Sequence, residues 1–238
     1  MMKRTLFIAG DSTAALKGAS EKPMTGWGEY LQGHFNSSIK VKNCAINGRS
    51  TKSFLNEGRL EAIERELQAG DYLFIQFGHN DGKQEDPARY ADPVREYPGN
   101  LSRFIELARS RDATPVLLTS VSRRKFLPDG TLDPLAVAEY PEVMRQVART
   151  TGTILLDIFA ASQHLYRQLG EEASRRLLMH LPPGAHPNYP DGIQDDTHFS
   201  EEGACQIAEL VVAEIRYADA LSVLAAELRQ VDDKGGND

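Results

Sequence analysis

Cysteine is nearly absent: Cys44 and Cys205 are the two in a chain of 238 residues. Two thiols cannot build a disulfide framework, and their separation does not suit a metal site. Both are expected as small buried side chains. Long apolar runs are missing as well. Nothing approaches the roughly 18 residues of a membrane span. The apolar stretch behind Met1-Met2-Lys3-Arg4, Leu6 to Ala9, has four residues, against the roughly 7–15 of a secretory segment. A cytoplasmic location without membrane contact is therefore expected. Positive charge is in deficit, since 27 Lys and Arg against 34 Asp and Glu leave a net charge of -7. With no basic stripe to displace counterions from phosphates, nucleic acid is not an expected partner. A few local arginines can still hold an acidic substrate. The phosphate-cradling patterns GxGxxG and GxxxxGK(S/T) are missing too, which argues against a nucleotide-binding protein.

What is present is an ordinary globular composition, 41% hydrophobic and 26% charged, long enough to bury a full core. Short apolar runs alternate with longer amphipathic segments, the pattern of βαβ units around a parallel sheet. Strands are predicted at Thr5–Ala9, Lys40–Ala45, Tyr72–Phe77, Pro115–Ser120 and Thr153–Asp157. Four of the five are nearly continuous apolar runs, as strands covered on both faces should be; Lys40–Ala45 alternates and is expected at an edge. Helices are predicted at Trp27–Phe35, Arg59–Gln68, Asn100–Ser110, Leu135–Thr151, Phe159–Leu169, Glu201–Arg216 and Ala218–Val231. Asp232–Asp238 reads as a frayed polar tail. With no repeat and no second domain in view, residues 1–231 are expected to form one domain. Two stretches, Gly82–Gly99 and Pro182–Thr197, read as long loops, and such loops are often functional.

The chemistry-bearing residues gather at strand ends. Gly10-Asp11-Ser12-Thr13 follows the first strand, and ligands in open parallel sheets bind beyond the carboxyl ends of strands. By itself Ser12 reads more readily as a turn or helix cap than as a nucleophile. Asn47-Gly48-Arg49-Ser50 follows the second strand and Gly78-His79-Asn80-Asp81 the third, converging on the same sheet edge. Ester hydrolysis needs donors aimed at a developing oxyanion, and the Gly48 N–H, the Asn80 amide and the Ser12 N–H can supply them. A base must also deprotonate the serine, and histidine suits that near neutral pH. Asp195-Asp196-Thr197-His198 precedes the last long helix; His198 is the candidate base, with a carboxylate to orient it. Spacing separates Asp195 from Asp196 poorly.

Gly10-Asp11-Ser12, Gly48, Gly78-x-Asn80 and Asp195-x-x-His198, in this order across nearly the whole chain, resemble the four blocks of the SGNH (GDSL-like) hydrolase superfamily. The wider context, with Gly26-Trp27-Gly28 and Phe77-Gly78-His79-Asn80-Asp81, resembles its rhamnogalacturonan acetylesterases. That resemblance implies a flavodoxin-like three-layer α/β fold, its central parallel sheet of about five strands in the order 2-1-3-4-5 with helices on both sides. It implies Ser12 as nucleophile, Asp195 and His198 as its triad partners, and Gly48 and Asn80 completing the oxyanion hole with Ser12. It further implies release of acetate from pectin carbohydrate through an acetyl-serine, with no metal and no organic cofactor. Fungal members are secreted and disulfide-bonded; with no evident export signal, an imported oligosaccharide is the expected substrate here. Alternatives within the superfamily are a lipase, a thioesterase or a xylan acetylesterase, and outside enzymes a carbohydrate-binding relative without turnover.

For the sugar, Arg49 is a candidate partner for a galacturonate carboxylate or, equally, a structural ion pair. His79 is a further candidate contact. Trp27 is either a sugar platform or a core residue. His186, with Asn188 and Tyr189 in the loop before the triad, is expected to wall the pocket.

Overall fold

The computed structural model describes residues 3–230. Five strands, β1 (Arg4–Gly10), β2 (Ile39–Asn43), β3 (Tyr72–Gln76), β4 (Thr114–Leu118) and β5 (Ile154–Leu156), form a parallel sheet in the order β2-β1-β3-β4-β5. The central strand β1 pairs with β2 from Arg4↔Ile39 to Ile8↔Asn43 and with β3 from Leu6↔Tyr72 to Gly10↔Gln76. As its alternating pattern implies, β2 lies at an edge, and its middle residues are partly exposed. The order reverses beside β1, which opens a crevice at the carboxyl ends of β1 and β3.

Period-two alternation divides the core between the two faces of the sheet. Leu6, Ile8, Phe74, Val116 and Leu118 face Ile207, Val211 and Ile215 of α6 (Glu201–Tyr217), together with Tyr166 of α5 (Ile158–Ser174). Phe7, Ala9, Leu73, Ile75 and Leu117 face the other way, onto α1 (Thr51–Asn56), α2 (Arg59–Glu64), α3 (Tyr97–Ser110) and α4 (Tyr140–Thr151). Phe54, Phe77 and Phe104 form an aromatic cluster there, their ring centroids 5.3–5.8 Å apart. The result is the expected three-layer flavodoxin-like arrangement.

Several elements differ from the sequence expectation. Trp27–Phe35 is two 3-10 turns, Trp27–Glu29 and Leu31–His34, instead of one helix. Glycines at 28 and 33 weaken a helix there. The helix predicted from Leu135 begins at Tyr140, because Ala138 takes a positive φ of 47°. The α1 helix was not expected; Ser50 caps it, its hydroxyl accepting from the Ser53 N–H at 3.1 Å. Ala218–Val231 contains only the 3-10 turn Asp219–Leu221 and the short α7 (Ser222–Ala225) within the described residues; Asp232–Asp238 lies outside them. The stretch read as the loop Pro182–Thr197 enters a strand, since β6 (Leu178–Leu181) and β7 (Ile193–Phe199) form an antiparallel pair. No helix among the described residues is long and apolar enough to cross a membrane.

Candidate active site

Because all five central strands run parallel, the segments leaving β1, β2, β3 and β4 emerge on one edge, and β7 folds over it. A cavity of about 470 Å³ opens there, lined by Ser12, Gly48, Asn80, Asp195 and His198 among others.

Each turn has a local cause. Asp11 shapes the first: its Oδ1 accepts from the Thr13 N–H at 2.9 Å and its carbonyl from Ala14 and Ala15, an Asx turn that lifts Ser12 to the rim. Gly48 has a φ of +73°, a conformation costly for residues with a Cβ. Gly78, at φ +149°, has no room for a side chain, since a Cβ would stand 2.3 Å from Ser120 Oγ. Asn80, two residues on, donates an amide hydrogen to the Arg49 carbonyl at 3.1 Å, which ties the second turn to the third. The second amide hydrogen of Asn80 remains for the cavity. The backbone N–H groups of Ser12 and Gly48 donate to no acceptor among the described residues.

On β7 the ladder is interrupted. Leu178 pairs with Phe199 but its neighbour Met179 pairs with Asp195, so residues 196–198 bulge outward. Bulges re-aim side chains beside active sites, and this one lets His198 turn back onto Asp195. His198 Nδ1–H donates to Asp195 Oδ2 at 2.6 Å. Nε2 is thereby left to accept from the Ser12 hydroxyl, 2.9 Å away. Asp195 Oδ1 accepts from the N–H groups of Thr197 and His198 at 2.7 and 3.0 Å. Burial pushes this carboxyl upward, but the His198 ring and the two N–H donors outweigh burial and hold it at about 2. Asp196 faces the other way and pairs with Arg124 Nη1 at 2.7 Å and His180 Nε2 at 2.9 Å. Of the two aspartates, only Asp195 reaches the imidazole.

The substrate candidates divide. His79 lines the cavity, its Nε2–H donating to the Val121 carbonyl at 2.9 Å. The Arg49 side chain turns away from the cavity to Glu57, 3.0 Å from its Nε, and to the Asn47 carbonyl. Its structural-ion-pair alternative is the one observed, and its backbone carbonyl is what serves the site. Trp27 is 0% exposed and donates to Gln76 Oε1 at 3.0 Å, a core residue without access to sugar. His186 lies in the loop after β6, outside the cavity lining; that loop is fastened by Asn188 to the carbonyls of Ala19 and Lys22 and by Tyr189 to that of Glu21. No group of three His, Cys, Asp or Glu side chains among the described residues is disposed to hold a metal.

A model of the GDSL-like lipase/acylhydrolase family matches residues 8–204, most of the chain. The chain belongs to this family. The GDSL-like relatives include the rhamnogalacturonan acetylesterase RhgT of Bacillus subtilis, 43% identical over 213 residues that cover 89% of this chain and 90% of the relative. The rhamnogalacturonan acetylesterase of Emericella nidulans is 30% identical, with 87% of this chain and 83% of the relative covered. Among solved structures, the YxiM protein of Bacillus subtilis superposes with a TM-score of 0.77 at 25% identity; 91% of this chain is covered, but only 57% of that one. An acetylxylan esterase from Geobacillus stearothermophilus shares the fold, with a TM-score of 0.64 at 18% identity over 90% of this chain and 94% of the other. With these relatives, this GDSL-like chain is a carboxylic ester hydrolase.

Sequence reasoning missed part of this GDSL-like site. Lys17 is only 4% exposed, and its ammonium donates to the Ser12 carbonyl at 2.7 Å and to Asn47 Oδ1. Desolvation lowers its pKa, with Glu21 and Asp11 opposing. A lysine thus clamps the serine turn to the glycine turn, and its place between Ala14-Ala15-Leu16 and Gly18 carries no pattern that announces it. Lys83, Arg89 and Arg123 also line the cavity.

Proposed function

We propose that the protein is an acetylesterase that releases acetate from acetylated rhamnogalacturonan oligosaccharides through an acetyl-serine intermediate. The hydrogen-bonded sequence Ser12–His198–Asp195, opening on a polar cavity, carries this reading; the identity to named rhamnogalacturonan acetylesterases supplies the substrate class. Ser12 Oγ attacks the acetyl carbonyl as its proton passes to His198 Nε2. Asp195 holds the imidazole in the tautomer that can accept that proton, then stabilises the imidazolium. The N–H groups of Ser12 and Gly48 and the Asn80 amide receive the oxyanion. The imidazolium protonates the departing sugar hydroxyl, which leaves Ser12 acetylated. Water, deprotonated by His198, then attacks the acetyl-serine, and acetate departs as Ser12 regains its proton.

Residues 1–231 act as one SGNH domain in this proposal, working in the cytoplasm on oligosaccharides. The test is acetate release from acetylated rhamnogalacturonan fragments, acetylated xylo-oligosaccharides and p-nitrophenyl esters of increasing chain length. The rhamnogalacturonan fragments should have the highest kcat/KM, with a steep fall beyond acetyl. A preference for long acyl chains would make the protein a lipase or thioesterase instead.

A further inference from the structure

Arg123 and Arg124 are adjacent in the chain and opposite in role. Arg124 is 5% exposed and fully engaged, with Asp196, with Ser174 Oγ at 3.0 Å and with the Glu171 carbonyl. Arg123 lines the catalytic cavity, and its side chain has neither a hydrogen-bond nor an ion-pair partner among the described residues, although its Nε is buried. A buried guanidinium nitrogen without a partner is costly and calls for an explanation. Lys83 also lines the cavity and likewise lacks a side-chain partner among the described residues. The other cations of the cavity are committed, Lys17 to Ser12 and Asn47 and Arg89 to Asp86. In a chain of net charge -7, two uncommitted cations beside the catalytic serine mark a place for an anion.

A second cavity of about 330 Å³ adjoins the first and shares His79, Lys83 and Arg123 with it. Ala136, Val137, Ala138 and Tyr140 supply its apolar lining, and Glu85 also lines it. Together the two cavities exceed what one acetyl group needs, since sites of about 300–1,000 Å³ hold whole drug-sized ligands.

We infer that the joined cavities are neighbouring sugar subsites and that Arg123, with Lys83, binds the carboxylate of the acetylated galacturonate at their junction. This rests on the rhamnogalacturonan reading and deepens it. The planar guanidinium matches a carboxylate with two parallel N–H donors. Galacturonate alternates with rhamnose in this polymer, so the next unit is a neutral 6-deoxy sugar. The second cavity suits it: the apolar lining takes its methyl group, and Glu85 repels a second carboxylate.

The test pairs an acetylated galacturonate–rhamnose oligosaccharide with its carboxyl-reduced form, and adds calorimetric binding of the corresponding non-acetylated disaccharide. Arg123→Met should lower kcat/KM on the uronate substrate about 10- to 100-fold, the range of a charge-assisted hydrogen-bonded contact. The loss on the carboxyl-reduced substrate should be at least about tenfold smaller. Arg123→Lys should recover only part, because an ammonium lacks the fork. Lys83→Met should cost up to about fivefold, as expected of a point charge without a paired donor fork. Equal losses on the two substrates, or equally tight wild-type binding of the uronate and carboxyl-reduced disaccharides, would overturn the inference. If the wild type instead favours acetylated xylo-oligosaccharides, the rhamnogalacturonan reading fails, and disaccharide binding still judges the subsite. Uronate binding lost in Arg123→Met then upholds it, and binding that is absent or unaffected overturns it.

Discussion

Replacing Asp195 with Asn, and separately Asp196 with Asn, tests the geometry of β7 with two changes of one atom each. In the native arrangement the Asp195 carboxylate accepts the Nδ1 proton of His198 at 2.6 Å. An asparagine that keeps the two backbone donors on its oxygen must turn its NH₂ toward Nδ1. The imidazole then carries its proton on Nε2, facing a serine hydroxyl from which it can no longer accept. Two losses combine. Against burial, the His198 ring and the two N–H donors together take Asp195 from the ordinary aspartate value of 3.8 to about 2, a net of about 2 kcal/mol after discounting for solvent that reaches its open side. Inverting the tautomer also removes the acceptor nitrogen that takes the Ser12 proton. Together they should lower kcat about 10³- to 10⁴-fold. Asp196→Asn instead weakens the pair with Arg124 and His180. Asp196 is 48% exposed and Arg124 5%, so stability should fall by about 1–2 kcal/mol with kcat within about threefold of wild type. Acetate release under saturating substrate, with urea unfolding of each variant, measures both. Equal losses of activity in the two variants, or the larger loss in Asp196→Asn, would refute the assignment.

Three further outcomes follow from the same geometry. Asn80→Ala removes one oxyanion donor and should lower kcat about 10²- to 10³-fold with KM little changed; a fall confined to KM would give Asn80 a binding role instead. Lys17→Met leaves the Ser12 carbonyl and Asn47 Oδ1 without their shared donor, and should cost about 1–3 kcal/mol in urea unfolding and about tenfold in kcat. Unchanged kcat would show that the clamp does not position the serine. Asp195 titrates lower in the folded than in the unfolded protein, so its contribution is complete above about pH 4 and disappears as pH falls toward 2. Over that window wild type should lose about 2 kcal/mol more stability than Asp195→Asn; parallel pH profiles would contradict the assigned coupling.

The sheet and the meeting of the candidate site residues at one edge were legible because they rest on local physics. Apolar runs such as Tyr72–Gln76 have few alternatives to a buried strand, and a parallel sheet sends its strand ends to one edge whatever lies between. Long-range choices were harder. The β6–β7 pair joins a short apolar strand to a polar one through a bulge, and a polar strand gives little alternation to read. Arg49 seemed well sited beside the oxyanion glycine, yet Glu57, eight positions on, captures its side chain. Arg123 gave no sign in the sequence because its importance is the partner it lacks, which only the packing of neighbours reveals. Trp27 could be core or platform, and its full burial, with the indole N–H donating to Gln76 Oε1, decided for the core.

In the proposed reaction Ser12 carries the acetyl group between sugar and water. Rapid quenching of the wild type with acetylated rhamnogalacturonan oligosaccharide, followed by peptide mass spectrometry, reads that directly. One acetyl increment on the peptide containing Ser12, transient in wild type and missing in Ser12→Ala, is the expected result. Steady acetate release with no acetylated Ser12 peptide, and with Ser12→Ala still active, would contradict it.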